Sequence, residues 1–255
     1  MSKLVKKLRQ IHEGAAQPLG FRTAVAPLKR QILLMVTLPE FDTKRLAQLA
    51  QAEVDAVVIH SPDLEKVPIL QQIASSVGDI PWGVWLGLTT EEGIKRFQEA
   101  GGDFLIFQAS TTPTALLQEE DLGKVMKLDL PQDDGLIRTI DQLPIEAVLL
   151  DIRKKERGGL NISDLMYCQW LASLLHKPLL VAIQQEITAK EIRALWEVGV
   201  NGIVVEVDEE KPQERLTELR RAIEALPPAN KRHRKGGVVL PQIEQETGSV
   251  TAEET

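Results

Sequence analysis

Short apolar runs alternate with amphipathic helical stretches along residues 31–228, and this pair of elements occurs eight times. The runs are almost continuously hydrophobic, which is typical of parallel strands that are covered by helices. They begin 21–32 residues apart, which leaves room for one crossover helix between neighbours. The eight runs are ILLMVTL (from Ile32), AVVIHS (Ala56), GVWLGL (Gly83), FLIFQA (Phe104), VMKLDL (Val125), AVLLDI (Ala147), LLVAIQ (Leu179) and IVVEV (Ile203).

Eight strand–helix units in about 200 residues predict an α/β fold, a single closed (βα)8 or TIM barrel. Signals at the helix ends support this prediction. Asp42 is expected to cap the first barrel helix, and Thr-x-x-Glu capping boxes begin at Thr89 and Thr188. Thr112 followed by Pro113 predicts another helix start. Glycines stand where helices should end, at Gly78, Gly101 and Gly199.

The chain divides into three parts around this barrel. Residues 1–30 form a basic N-terminal helix and arm, residues 31–228 the barrel, and residues 229–255 a polar tail that we expect to be disordered. The helix is predicted over residues 2–11, with an apolar stripe that would cap the bottom of the barrel. The stripe consists of Leu4, Val5, Leu8 and Ile11.

Charge and composition exclude several classes of protein. The net charge is −7; residues 1–30 carry +6 and the tail carries zero, which leaves −13 on the barrel. Such an acidic barrel argues against binding nucleic acid. No apolar run has the roughly 18 residues of a membrane span, and a lone Cys168 excludes a disulfide framework. We therefore expect a cytoplasmic protein with no transmembrane segment.

Polar side chains stand at the ends of the predicted strands, where (βα)8 barrels carry their chemistry. Residues two apart in a strand share a face, so Lys127 points with Asp129, and Asp151 points with Arg153. His60 is the candidate whose reference pKa lies closest to neutrality. The predicted catalytic residues are Lys127, Asp129, Asp151, His60 and Glu206.

This cluster admits three interpretations. Lys127 could form a Schiff base with a carbonyl substrate while a carboxylate moves protons, although neighbouring carboxylates would hold the amine as a poorly nucleophilic ammonium. His60, Asp129, Asp151 and Glu206 could instead surround a divalent metal ion. In the third interpretation the charges form an internal ion-pair network without chemistry.

The connection after the sixth strand predicts a site for an anionic small molecule. It reads RKKERGGLNISD over residues 153–164 and combines four cations with a glycine pair ahead of a helix. Backbone amides at a helix N-terminus bind phosphate or carboxylate groups. The predicted anion-binding residues are Arg153, Lys155, Gly158 and Gly159, and the alternative is a solvated basic loop.

Two segments resemble the phosphate- and flavin-binding barrels, which include nitronate-monooxygenase-like and ribulose-phosphate-binding enzymes. They are IPWGVWLGLTTEEGIKRFQEAGGDFLIF at residues 80–107 and KPLLVAIQQEITAKEIRALWEVGVNGIVVEV at residues 177–207. The resemblance implies the barrel fold. Those barrels hold phosphate with glycines after strands seven and eight. This chain has QQE at residues 184–186 and DEE at 208–210. The acids disfavour flavin mononucleotide or a sugar phosphate there.

These observations favour a barrel enzyme of the lyase or isomerase type that acts on a small carboxylate or carbonyl metabolite. The alternative is a non-catalytic barrel that serves as a binding or scaffold module and reaches a protein partner through its basic N-terminal arm. Perturbed titrating groups at an open mouth would favour the enzyme, and saturated ion pairs would favour the scaffold.

Overall fold

Eight parallel strands close into a barrel in sequence order, with β1 paired to β8. The computed structural model describes residues 1–13, 31–60, 64, 66–87, 90–129, 133–153, 159–184, 186–206 and 212–227. The predicted fold is confirmed. The strands are β1 Leu33–Leu38, β2 Ala56–His60, β3 Trp82–Trp85, β4 Phe104–Gln108, β5 Gly123–Leu128, β6 Ala147–Asp151, β7 Leu179–Ile183 and β8 Gly202–Glu206.

A helix follows each strand, and one more helix precedes the first strand. The element after β4 is a single turn of 3-10 helix, because only 14 residues separate β4 from β5. No helix in the described ranges is long and apolar enough to cross a membrane. The helices are α1 Lys3–Glu13, α2 Thr43–Gln51, α3 Val67–Val77, α4 Glu91–Glu99, η1 Thr114–Gln118, α5 Asp134–Ile140, α6 Ile162–Leu174, α7 Ala189–Glu197 and α8 Pro212–Glu224.

Alternate strand residues build two separate apolar layers. One layer lies between the sheet and the helices, and the other fills the barrel interior with side chains from all eight strands. The interior narrows around Phe104, whose ring lies against Gly83. A Cβ at Gly83 would stand 2.4 Å from that ring, so glycine is required there. The interior is therefore a packed core.

Helix α1 closes the bottom of the barrel, as its apolar stripe predicts. Leu4, Leu8 and Ile11 join the interior core, so this stripe is covered by the barrel itself. Asp103, just before β4, caps α1 from outside the helix by accepting hydrogen bonds from the backbone N–H of Lys3 at 2.6 Å and of Leu4 at 2.9 Å. The arm at residues 14–30 and the tail lie outside the described residues.

The bottom of the barrel also holds a buried ion pair. Asp55, just before β2, is fully buried, and its Oδ2 lies 2.9 Å from a guanidinium nitrogen of Arg220 on α8. The same carboxylate oxygen accepts the backbone N–H of Leu34 at 2.9 Å. Lys7 of α1 donates to the Asp55 carbonyl oxygen at 2.8 Å. One residue thus links α1, β1, β2 and α8.

The predicted helix ends are confirmed at most positions. Asp42 caps α2, and Thr188 begins α7 with a complete capping box. Thr90 caps α4 by accepting the N–H of Gly93, so the box expected from Thr89 is wrong. The helix start at Thr112 is also wrong, because the 3-10 turn begins after Pro113. The three glycines have positive φ at helix ends, at Gly78, Gly101 and Gly199.

Replacing Thr188 with alanine is expected to lower the free energy of unfolding by about 1 kcal/mol. Thr188 Oγ1 accepts the backbone N–H of Glu191, and the Glu191 carboxylate accepts the N–H of Thr188 at 2.7 Å. Urea denaturation measures the change. Thr217→Ala on α8 is the control, because that exposed hydroxyl only donates within its own helix. Equal losses in both variants would contradict the capping role.

Candidate functional site

The last inward side chains of the strands form a polar layer at the mouth, where the strands end. They follow the interior core at alternate positions, so the faces expected from the sequence are confirmed. Register pairs set neighbours side by side: His60 with Trp85, and Thr37 with Glu206. The layer includes Thr37, His60, Trp85, Gln108, Lys127, Asp151 and Glu206.

Arg153 is held between two carboxylates at this mouth. Its guanidinium binds Asp151 in a forked geometry, with Nε 3.0 Å from Oδ1 and a terminal nitrogen 2.8 Å from Oδ2. The other terminal nitrogen donates to Glu206 Oε2 at 2.5 Å. Lys127 Nζ approaches the same Asp151 Oδ2 more loosely, at 3.6 Å. Asp151 therefore positions both cations, and it holds the Lys127 ammonium less tightly than the Arg153 guanidinium.

Trp85 is the floor beneath these charges. The Lys127 Nζ lies 5.9 Å from the centre of the Trp85 ring, and the Arg153 Cζ lies 5.5 Å from it. The His60 ring stacks on the indole at 5.4 Å with an angle of 28° between the planes. The indole Nε1 approaches Thr37 Oγ1 at 3.5 Å. Three basic side chains thus converge on one aromatic ring.

Burial and neighbouring charge shift two titrating groups at the mouth. Partial burial against Trp85, followed by the positive charge of Arg153, lowers the pKa of His60 below its usual 6.5. Burial alone would raise the pKa of Asp151, but hydrogen bonds and charge from Arg153 outweigh burial and lower it. At pH 7 the His60 imidazole is therefore neutral and Asp151 is ionised.

The other predicted site residues lie around this centre. Asp129 is exposed just beyond β5, where its Oδ1 accepts a hydrogen bond from Gln108 at 3.3 Å. Within the described ranges, no group of three or more His, Cys, Asp or Glu side chains is placed to hold a metal ion. Arg153 binds both Asp151 and Glu206, so these carboxylates do not fit the metal interpretation. Lys155 and Gly158 lie outside the described residues.

The start of α6, where an anion site is predicted, already contains internal carboxylates. Gly159 has a φ of 75°, and the next amide, Leu160 N–H, donates to Glu191 Oε1 at 2.8 Å. Asn161 and Asp164 close a capping box on the first turn of α6. Burial alone would raise the pKa of Glu191, but hydrogen bonds from Thr188 and from the Leu160 N–H outweigh burial and lower it. Glu191 therefore occupies the position that an external anion would take beside Gly159.

Trp85 is the site residue that sequence reasoning missed. It is the last residue of β3, and Gly83 two positions earlier shares its inward face. A glycine followed two residues later by an aromatic residue at the strand end is the signal that could have identified Trp85. The contact between Arg153 and Glu206 spans 53 residues and depends on barrel closure.

Comparison with known proteins supports the barrel fold. No family model matches the sequence, and no curated protein is similar to it. The chain is similar to 3-keto-L-gulonate-6-phosphate decarboxylase from Vibrio cholerae, with a TM-score of 0.59, 14% identity, and coverage of 77% of this chain and 99% of the other. A tryptophan synthase α-subunit variant from Pyrococcus furiosus gives a TM-score of 0.57, 14% identity, and coverage of 76% and 97%.

A third solved structure covers more of the chain. It is (S)-3-O-geranylgeranylglyceryl phosphate synthase from Thermoplasma acidophilum in complex with sn-glycerol-1-phosphate. The TM-score is 0.56 at 13% identity, with coverage of 88% of this chain and 99% of the other. The protein is thus a (βα)8 barrel that shares its architecture with these solved structures. At this identity the likeness shows the fold alone.

Proposed function

We propose that this protein is a barrel enzyme of the lyase or isomerase type that moves a proton beside the carbonyl group of a small carboxylate or carbonyl metabolite. The observation that carries the proposal is the convergence of Lys127, Arg153 and His60 on the ring of Trp85. It lies at the end of the barrel where this fold carries its chemistry.

Lys127 would bind the carbonyl oxygen and stabilise negative charge as it develops there. Its ammonium is only loosely paired, 3.6 Å from Asp151, and so could reorient toward a substrate oxygen. A charge fixed in a partly dry site stabilises an enolate more than the same charge in water. We assign Arg153 to positioning and to the field at the mouth, because both of its carboxylate partners already saturate it.

His60 would act as the general base. Its lowered pKa keeps the imidazole neutral at pH 7, which is the form that accepts a proton. The ring stacks on Trp85, the same indole that faces the Lys127 ammonium. The imidazolium formed in this step would return the proton to the product.

A non-catalytic scaffold is the second candidate, and the saturated Arg153 favours it. The forked pair with Asp151 and the contact with Glu206 could serve the closed barrel alone. In that case the mouth would hold no small molecule. The apolar stripe of α1 would not serve a partner in either case, because the barrel covers it.

Solvent deuterium exchange tests the proposed chemistry without knowledge of the full reaction. The intact protein is incubated in D2O with a panel of 2-oxo acids and hydroxycarbonyl compounds, and NMR follows label at the carbon beside the carbonyl. We expect at least one compound to exchange faster with the protein, and Lys127→Met to slow that exchange by about 100-fold.

The matched control is Lys6→Met, which removes an exposed lysine from α1 at the bottom of the barrel, opposite the Trp85 cluster. It should leave the exchange rate unchanged. Exchange that survives Lys127→Met would reject the role of this lysine. Absence of exchange and of any bound compound across the panel would favour the scaffold.

A further inference from the structure

The outer side of α6 exposes large apolar side chains to water. Ile162 is 78% exposed, Met166 64% and Tyr167 44%, and Leu136 on the adjacent α5 is 48% exposed. Trp170 joins the two helices, because its Nε1 donates to a carboxylate of α5 at 2.9 Å and its ring meets Tyr167 edge-on. An extended apolar surface of this kind marks an interaction site on a soluble protein.

This surface, which we name the α6 face, carries few charges, and the Asp134 carboxylate of α5 lies beside it where it binds Trp170. The only charged residue among the 13 of α6 is Asp164, which is buried in the cap. Helix α3 is uncharged as well, but it presents Gln71, Gln72 and Ser75 to solvent. The outward side of α4, in contrast, carries charges at both ends. The α6 face is therefore apolar for a reason other than the packing of the barrel.

We propose that the α6 face binds the α6 face of a second copy of this chain, forming an antiparallel two-fold dimer. Two chains of net charge −7 repel each other, and contact along α6, whose one charged residue is buried, avoids setting carboxylates against carboxylates. A different, charged partner would be selected by complementary charges, which this face does not provide. The inference is independent of the chemistry proposed at the mouth.

The exposed residues of α6 have the spacing of a helix–helix seam. Positions 162, 166, 169 and 173 are all exposed and follow the 4-3-4 spacing of paired helices. An antiparallel pair centred between Met166 and Gln169 sets Ile162 against Ser173 of the partner subunit. The bulky end of one helix then meets the small end of the other, and Met166 adapts to the gap between them.

Helix α6 offers such a dimer a contact about 20 Å long, since it has 13 residues. Leu136 and Tyr167 widen the contact on one side. Because the pair is antiparallel, the two mouths open in opposite directions and each site is complete within one chain.

Sedimentation velocity of the full chain across a broad dilution series tests the dimer. The wild-type protein should sediment as a dimer, and Met166→Glu should raise the dissociation constant at least about 100-fold, because each chain then buries a carboxylate in the helix–helix contact close to the two-fold axis. Val67→Glu is the matched control, since it adds the same charge to a partly exposed apolar position on α3. That variant should remain dimeric.

A charge rescue tests the antiparallel register. Ile162→Lys should weaken the dimer, and adding Ser173→Asp should restore it, because the new charges meet only across the two chains. Within one chain these positions are eleven residues apart on the helix. A monomeric wild-type protein at every concentration would overturn the proposal. So would a dimer that survives Met166→Glu, or a double variant that stays as weak as Ile162→Lys alone.

Discussion

Replacing Asp55 with alanine is expected to lower the free energy of unfolding by about 3–5 kcal/mol. The carboxylate is fully buried and is the ionic partner of Arg220, which is itself buried on α8. Its removal leaves the guanidinium without an opposing charge and the Leu34 N–H without its carboxylate acceptor. Arg220 would keep its hydrogen bond to the Glu53 carbonyl oxygen, but a buried charge without a counter-charge costs more than the loss of the contact itself.

Urea denaturation followed by circular dichroism measures this loss. Glu197→Ala is the control, because it removes one partner of the exposed Arg193 pair on α7 and should change stability by less than about 0.5 kcal/mol. Asp55→Asn should fall between the two, since the amide oxygen still accepts from Leu34. A loss below about 1 kcal/mol in Asp55→Ala would mean that another acceptor reaches Arg220.

Replacing His60 with asparagine is expected to slow deuterium exchange at the substrate carbon by about 100-fold or more, if His60 is the general base. Asparagine keeps a polar side chain beside Trp85 but cannot accept the proton. His176→Asn is the control, because that histidine lies on the opposite end of the barrel and contacts Asp141. NMR measures both rates on the compound that the wild-type protein labels. Equal rates in wild type and His60→Asn would remove this residue from the chemistry.

The protonation of His60 determines how the exchange rate should depend on pH. The neutral imidazole is the active form, and the pKa of His60 is lowered from 6.5, so the exchange rate should hold at neutral pH and fall only on acidification below 6.5. Replacing Arg153 with methionine removes the second cause of that lowering, a nearby positive charge. The fall should then begin at higher pH. An acid limb that stays in place would show that burial alone sets the pKa.

Much of the mouth is predictable because two simple rules act together. Strand residues alternate between faces, and the strands of a barrel end at one side, so Lys127, Asp151 and Glu206 had to meet. The partners within that layer do not follow from these rules. Arg153 lies two residues after the end of β6, outside the strand itself. Its contact with Glu206 depends on the stagger of the strands in the closed sheet.

The bottom of the barrel was the larger omission, although the sequence carries a signal for it. Polar residues come directly before four strands, namely Asp55, Asp103, Glu146 and Asn201. Three of them contact α1, through the Asp55 carbonyl and the side chains of Asp103 and Asn201. The opposite charges of the basic N-terminal helix and of the acidic residues before the strands could have predicted that they lie together. The Arg220 pair could not, because a lone arginine on an amphipathic helix looks the same whether it faces solvent or the core.

The packing of α1 against the bottom of the barrel also determines when the protein can finish folding. The helix precedes all eight strands in the chain and so leaves the ribosome before them, yet its apolar side joins the interior core to which all eight strands contribute, and His12 approaches Asn201. Leu4, Leu8 and Ile11 therefore stay exposed until the eighth strand has been synthesised and paired with the first. Folding that depends on such distant contacts is slow. An apolar helix face that stays exposed during this time favours aggregation or binding to a chaperone.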